Sequence, residues 1–168
     1  MIVYAANNRN GLNVLRELKK MGVEIEYLLV HPKERGRYVE EIIEASEVSK
    51  DRIFVWNKNK IEVLKGILFA KTSRVLFSVN FGYIIPKEIL DMFELPINLH
   101  MAYLPYNKGS HPNVWAIVEK TPAGVTIHRM TESVDGGEIF AQMIVEVEPW
   151  DTGKSLYEKL EKASIKLV

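Results

Sequence analysis

Four short apolar runs, each followed by a segment that can form a loop and a helix, fill the first half of this chain, and that alternation leaves few folds open. Residues 1–6 form a compact apolar run that ends in Asn7, Asn8, Arg9, Asn10 and Gly11, after which Leu12, Leu15, Leu18 and Met21 recur at helical spacing. Gly22 closes that helix, residues 23–30 form a second strand, and His31-Pro32 opens a charged loop that runs through Arg37. The pattern then predicts a helix over 37–46, a strand over 53–56 and a helix over 61–70. Val75, Leu76, Phe77 and Val79 form a fourth strand, apolar enough to be buried on both faces. Strands that alternate with helices need crossover connections, and crossovers make a parallel sheet.

The second half departs from that rhythm. Phe81-Gly82-Tyr83-Ile84-Ile85-Pro86 is an apolar loop into a helix that starts near Pro86 and runs through Leu90 to Phe93. Pro96 ends that region and residues 97–101 form a fifth strand. From Pro105 to Asn113 turn formers dominate, with a helix after them through Trp115 to Glu119, whose tryptophan is expected in the core. Residues 124–130 and 139–147 form an antiparallel pair around a polar bend at 131–138. Leu156, Leu160, Ala163 and Leu167 lie on one face of a final helix over 152–168, which stops without a cap and points to a chain that continues beyond Val168. The expected fold is therefore α/β: a doubly wound, mostly parallel sheet with an antiparallel addition near the C-terminus, in one domain over residues 1–168.

Charge and residue content exclude several functions. Across 168 residues, 22 Lys and Arg balance 22 Asp and Glu, so no global field draws a nucleic acid or an anionic membrane. The absence of cysteine removes disulfides, thiolate metal sites and Cys nucleophiles together, and fits a reducing cytoplasm. The apolar, uncharged segment 75–86 is far short of the ~20 residues that cross a bilayer. No basic leader precedes the first apolar run. Neither GxGxxG nor GxxxxGK[ST] occurs, so a dinucleotide or triphosphate cradle is not announced.

What remains is Asn98-Leu99-His100 at the end of an apolar strand, where alternate residues share a face and Asn98 and His100 point together. Open parallel sheets bind ligands beyond such strand ends. An amide and an imidazole there can polarise and protonate an oxygen during acyl transfer, or can equally satisfy neighbouring backbone groups. Asp135 lies in Glu132-Ser133-Val134-Asp135-Gly136-Gly137-Glu138. Taken alone it is a turn residue; folded over the fifth strand, its carboxylate would orient His100 and raise its pKa. His100, His111 and Asp135 can also be drawn as a two-histidine, one-carboxylate metal site, though the eleven-residue gap between the histidines predicts no ligand geometry. His31 and His128 are expected to cap or line a surface.

These residues, in this order and spacing, resemble the catalytic domain of the formyltransferases that use N10-formyltetrahydrofolate: methionyl-tRNA formyltransferase, glycinamide ribonucleotide transformylase and the sugar N-formyltransferases. The likeness runs from residues 81–86 through Asn98-Leu99-His100, Leu104-Pro105 and Lys108-Gly109 to Gly124-Val125-Thr126-Ile127 and Asp135-Gly136-Gly137-Glu138. It implies a Rossmann-like fold in which Asn98, His100 and Asp135 are catalytic. It further implies that Phe81, Gly82, Tyr83, Ile84 and Ile85, with Met130, Thr131, Glu132, Ser133 and Val134, wall the folate pocket. N10-formyltetrahydrofolate is then the co-substrate, and no metal is required.

The stretch from Pro105 to Trp115 is similar to that of the sugar N-formyltransferases, while Ala102 stands where the tRNA enzymes have a serine. Tyr106, His111 and Asn113 supply a ring, an imidazole and an amide suited to an amino sugar on a nucleotide carrier. The expected partner is thus a small-molecule amine, with no membrane, no nucleic acid and the question of a homodimer open. Methionyl-tRNA, glycinamide ribonucleotide and a non-catalytic folate- or nucleotide-binding module stand as alternatives.

Overall fold

The computed structural model describes residues 2–69 and 74–168, which divide into two compact units, 1–97 and 98–168. Met1 and Ala70, the outer ends expected for the first strand and third helix, lie outside the described residues.

In the first unit, β1 (Ile2–Ala6), β2 (Ile25–Val30), β3 (Ile53–Val55) and β4 (Val75–Val79) lie in the order β3-β2-β1-β4, and every pair is parallel. The crossovers are α1 (Asn8–Lys20), α2 (Val39–Ser46) and α3 (Ile61–Phe69). Leu76, Phe77, Ser78 and Val79 are all buried, as a central strand requires. Helix α1 begins four residues before the first leucine of its stripe and buries Leu12, Val14, Leu15 and Leu18. Met21, expected on that stripe, is its exposed C-cap, because Gly22 at φ +78° already turns the chain away.

The strand order reverses between β1 and β4, and there the first turn of α1 is tied to the loop after β4 and to β1. Asn10 Nδ2 donates to Asn80 Oδ1 at 2.8 Å, and the buried Tyr4 hydroxyl donates to the Gly11 carbonyl at 2.8 Å. The helix expected from Pro86 is a single turn, α4 (Lys87–Leu90). Strand β5 (Leu95–His100) starts earlier than the sequence indicates and includes Pro96, which a strand accommodates near its first residue.

In the second unit the end of β5 is followed by α5 (Pro112–Glu119), β6 (Ala123–Arg129), β7 (Ile139–Val145) and α6 (Gly153–Leu167), with strand order β5-β6-β7. β7 is antiparallel to β6, and their register slips between Ile127 and His128, where Phe140 is an extra residue on β7. The chain is thus α/β, mostly parallel, with an antiparallel addition near its C-terminus. Helix α6 packs Leu156, Leu160 and Ala163 into this unit's core. Trp115 is 49% exposed, against the core position expected of it; α5 turns only Ala116 fully inward.

Helix α6 starts in a reciprocal cap: Ser155 N donates to Thr152 Oγ1 and Thr152 N to Ser155 Oγ. Asp151, beside it, receives Lys159, the Ser155 hydroxyl and the Glu148 N–H, which together hold its carboxyl down at about 2. A carboxylate depressed on folding contributes stability above its unfolded pKa and loses it as pH falls through the folded value. Asp151→Asn should therefore lower the melting temperature at neutral pH and flatten its fall between about pH 4 and 2, read by a thermal melt at each pH.

Candidate active site

The end of β5, the bend after β6 and the loop after β5 assemble one buried polar cluster within the second unit. Strand alternation sends Leu99 into the core and leaves Asn98 and His100 on the other face. His100 Nε2 lies 3.0 Å from the Asn107 carbonyl and 3.4 Å from Asp135 Oδ2, so this nitrogen carries a proton that both oxygens accept. Asn107 is itself held by the Thr121 hydroxyl at 2.8 Å.

Asp135 is the hub. Its Oδ2 accepts from Gly109 N at 2.8 Å, joining the loop after β5 to the bend, and its Oδ1 lies 3.2 Å from His128 Nε2. His128 is 2% exposed; its Nδ1 lies 2.9 Å from the Arg129 carbonyl, and its Nε2 also lies 3.3 Å from the Asn98 amide nitrogen. Asp135 adopts a left-handed backbone, φ +49°, to reach this position. The bend passes so close to β6 that a Cβ on Gly137 would stand 2.0 Å from the Arg129 carbonyl, which only glycine avoids.

Burial is the largest influence on both titrating partners. It pushes the His100 pKa down, and the opposing Asp135 charge and Asn107 carbonyl do not restore it, so His100 is held below its ordinary value. The carboxylate does raise the histidine, as the sequence leads one to expect, but burial outweighs it. For Asp135 burial pushes up, while the hydrogen bond from His128, the His100 charge and the Gly109 N–H together pull its carboxyl below the usual range. A neutral imidazole, an ionised carboxylate and a strand-end amide thus meet in one cluster, a set able to accept a proton and to donate a hydrogen bond to an oxygen that gains charge.

The residues expected at this centre, Asn98, His100 and Asp135, are brought together, and His128 joins them although its sequence reads as a surface liner. The signal available was its period-two relation to the buried Thr126 on β6. Thr126 itself braces the loop after β5, donating to the Ala102 carbonyl at 2.7 Å and accepting from Leu104 N. Among the described residues no three His, Asp or Glu groups are placed to hold a metal, and His111 is an exposed N-cap of α5. Tyr106 is exposed, and Asn113 spends its amide on the Gly153 carbonyl at 2.7 Å.

The two loops expected to wall a folate are described separately. In the second unit Thr131, Glu132, Ser133 and Val134 are exposed and Met130 half-buried. In the first unit Phe81 and Ile85 are buried and Ile84 is 73% exposed. His31, buried rather than lining a surface, props the loop at 81–85: its Nε2 meets the Phe81 carbonyl and its ring lies tilted at 4.4 Å from that of Tyr83, with Trp56 packed on Phe81 and Tyr83. Removing that ring in His31→Ala should cost about 2–4 kcal/mol, measurable as a lower denaturation midpoint. A midpoint equal to the parent's would show that the cluster adds no packing.

Residues 2–168 match the family model described as Formyl transferase. The chain is 33% identical over 98% of its length to the bifunctional polymyxin resistance protein ArnA of Wigglesworthia glossinidia brevipalpis, and 33% identical over 99% to a methionyl-tRNA formyltransferase of Geobacillus thermodenitrificans. It spans 26% of the first and 54% of the second, about half the length or less of these relatives. The crystal structure of the formyltransferase PseJ from Anoxybacillus kamchatkensis, in complex with UDP-4,6-dideoxy-4-formamido-L-AltNAc and tetrahydrofolate, is similar at TM-score 0.60 and 30% identity. That match covers 84% of this chain and 71% of that one.

Proposed function

The chain belongs to the formyl transferase family, and from that premise we propose that it moves a formyl group from N10-formyltetrahydrofolate to the primary amine of a nucleotide-linked amino sugar. The observation that carries the reading is the cluster in which His100 and His128 both meet Asp135 and the Asn98 amide meets His128. In the proposed step the amine nitrogen bonds to the formyl carbon, and the carbon–nitrogen bond to the folate breaks. The neutral His100 takes the proton the amine must lose, and the Asn98 amide donates to the oxygen that gains charge. Asp135 balances the imidazolium that forms, and the departing folate nitrogen receives the proton in return.

Support for a sugar acceptor comes from the PseJ complex and from the balanced charge of the chain, since a tRNA is gripped through several Lys and Arg contacts to phosphate. The two curated relatives above include a tRNA enzyme, so the test sets the acceptors against each other. The chain is incubated with formyl donor and, in separate reactions, nucleotide-linked amino sugars, glycinamide ribonucleotide and initiator methionyl-tRNA, and products are read by mass. Formylation of an amino sugar faster than of the other two supports the assignment. Formylation of the tRNA at least as efficiently as every sugar defeats it. A melting temperature raised by the donor while no amine is formylated would favour a folate-binding module.

A further inference from the structure

The contacts of His128 do not balance as they stand. Its Nδ1 lies 2.9 Å from the Arg129 carbonyl. Its Nε2 faces two groups of opposite demand: Asp135 Oδ1, which wants a donor, and the Asn98 NH2, which wants an acceptor. One of these must yield. The Asp135 carboxyl is ionised, held below the usual range despite its burial, and a hydrogen bond to an ionised group is roughly twice as strong as a neutral one. The amide contact is the one that gives way, at little cost, because half a turn of the Asn98 amide exchanges NH2 for carbonyl oxygen at the same place.

We propose that the proton between His128 and Asp135 resides on His128 Nε2, and that this N–H turns the Asn98 side-chain carbonyl toward His128 and leaves the Asn98 NH2 to donate to the formyl oxygen. His128 is then a positioning residue: buried at 2% exposure and fixed at both nitrogens, it selects which end of the asparagine faces the reaction. The first half of the proposal stands on the geometry of the second unit; the second half rests on the proposed formyl transfer.

The two halves have separate readouts. In protein labelled with 15N-histidine and observed by NMR without substrates at neutral pH, the His128 ring, assigned by its loss in His128→Gln, should show Nε2 protonated. A bare Nε2 overturns the proposal whether or not any amine is formylated. In kinetics, His128→Leu should lower kcat on the order of 10²-fold with the amine KM within about threefold, because a donor acting mainly on the transition state is lost. The double variant Asn98→Ala/His128→Leu should then be no slower than Asn98→Ala alone, since both changes remove one donor. Losses that multiply would overturn the positioning role. If His128→Leu does not fold, the same kinetic comparison is made with His128→Phe, alone and with Asn98→Ala.

Discussion

Replacing His100 by alanine should reduce kcat/KM by up to about 10⁴-fold, the upper range for a positioned acid–base group, while the protein still folds. The ring is buried at the end of β5, and its Nε2 proton is shared between the Asn107 carbonyl and Asp135. Its neighbours Leu99 and Met101, at 2% and 4% exposure, carry the packing of that segment, so the loss falls on chemistry more than on the core. Burial keeps His100 neutral at neutral pH and ready to accept the amine proton. Steady-state rates with a circular dichroism melt check both halves of the statement. A rate within about threefold of the parent, with the fold intact, would take His100 out of the reaction.

Asp135→Asn should cost on the order of 10³-fold in kcat and move the acid limb of the pH–rate profile to lower pH. The sign follows from the directions of the shifts. Asp135 raises the His100 pKa against the larger depression by burial, so removing its charge lets that pKa fall further. The neutral, proton-accepting form of His100 then persists to lower pH, and the acid limb follows it down. The slower rate and the shifted limb have separate origins: the first reflects an imidazolium left without its counter-charge in the transition state, the second the free enzyme. A profile superimposable on the parent's would reduce Asp135 to a turn residue.

Much of this site was legible because it is local. Asn98 and His100 are two residues apart on a strand, and Asp135 is marked by the two glycines that follow it. The burial of His128 could be read from its period-two relation to Thr126, but its partners could not, because they come from β5 and from the bend, and only strand pairing sets a β6 residue beside Asn98. The parallel half of the fold was readable from the period of its apolar residues. Errors fell where tertiary context overrides period: Met21 after a glycine stop, Trp115 on a helix that buries only an alanine, and Pro96 inside a strand. Asn113 reads as a ligand group by type, yet its amide is committed to the first turn of α6.

The left-handed backbone at Asp135 sets two kinds of selection against each other. A residue without a Cβ relaxes at φ +49°, so a library screened only for folded abundance should enrich glycine there, followed by asparagine, and should deplete valine and isoleucine. A library screened for turnover should keep aspartate almost alone, since no other side chain accepts from Gly109 N and faces both histidines with a negative charge. The residue that the backbone would choose and the residue that the chemistry requires are different at this one position, and the gap between the two enrichment profiles measures what the protein gives up in stability to keep a carboxylate between two imidazoles.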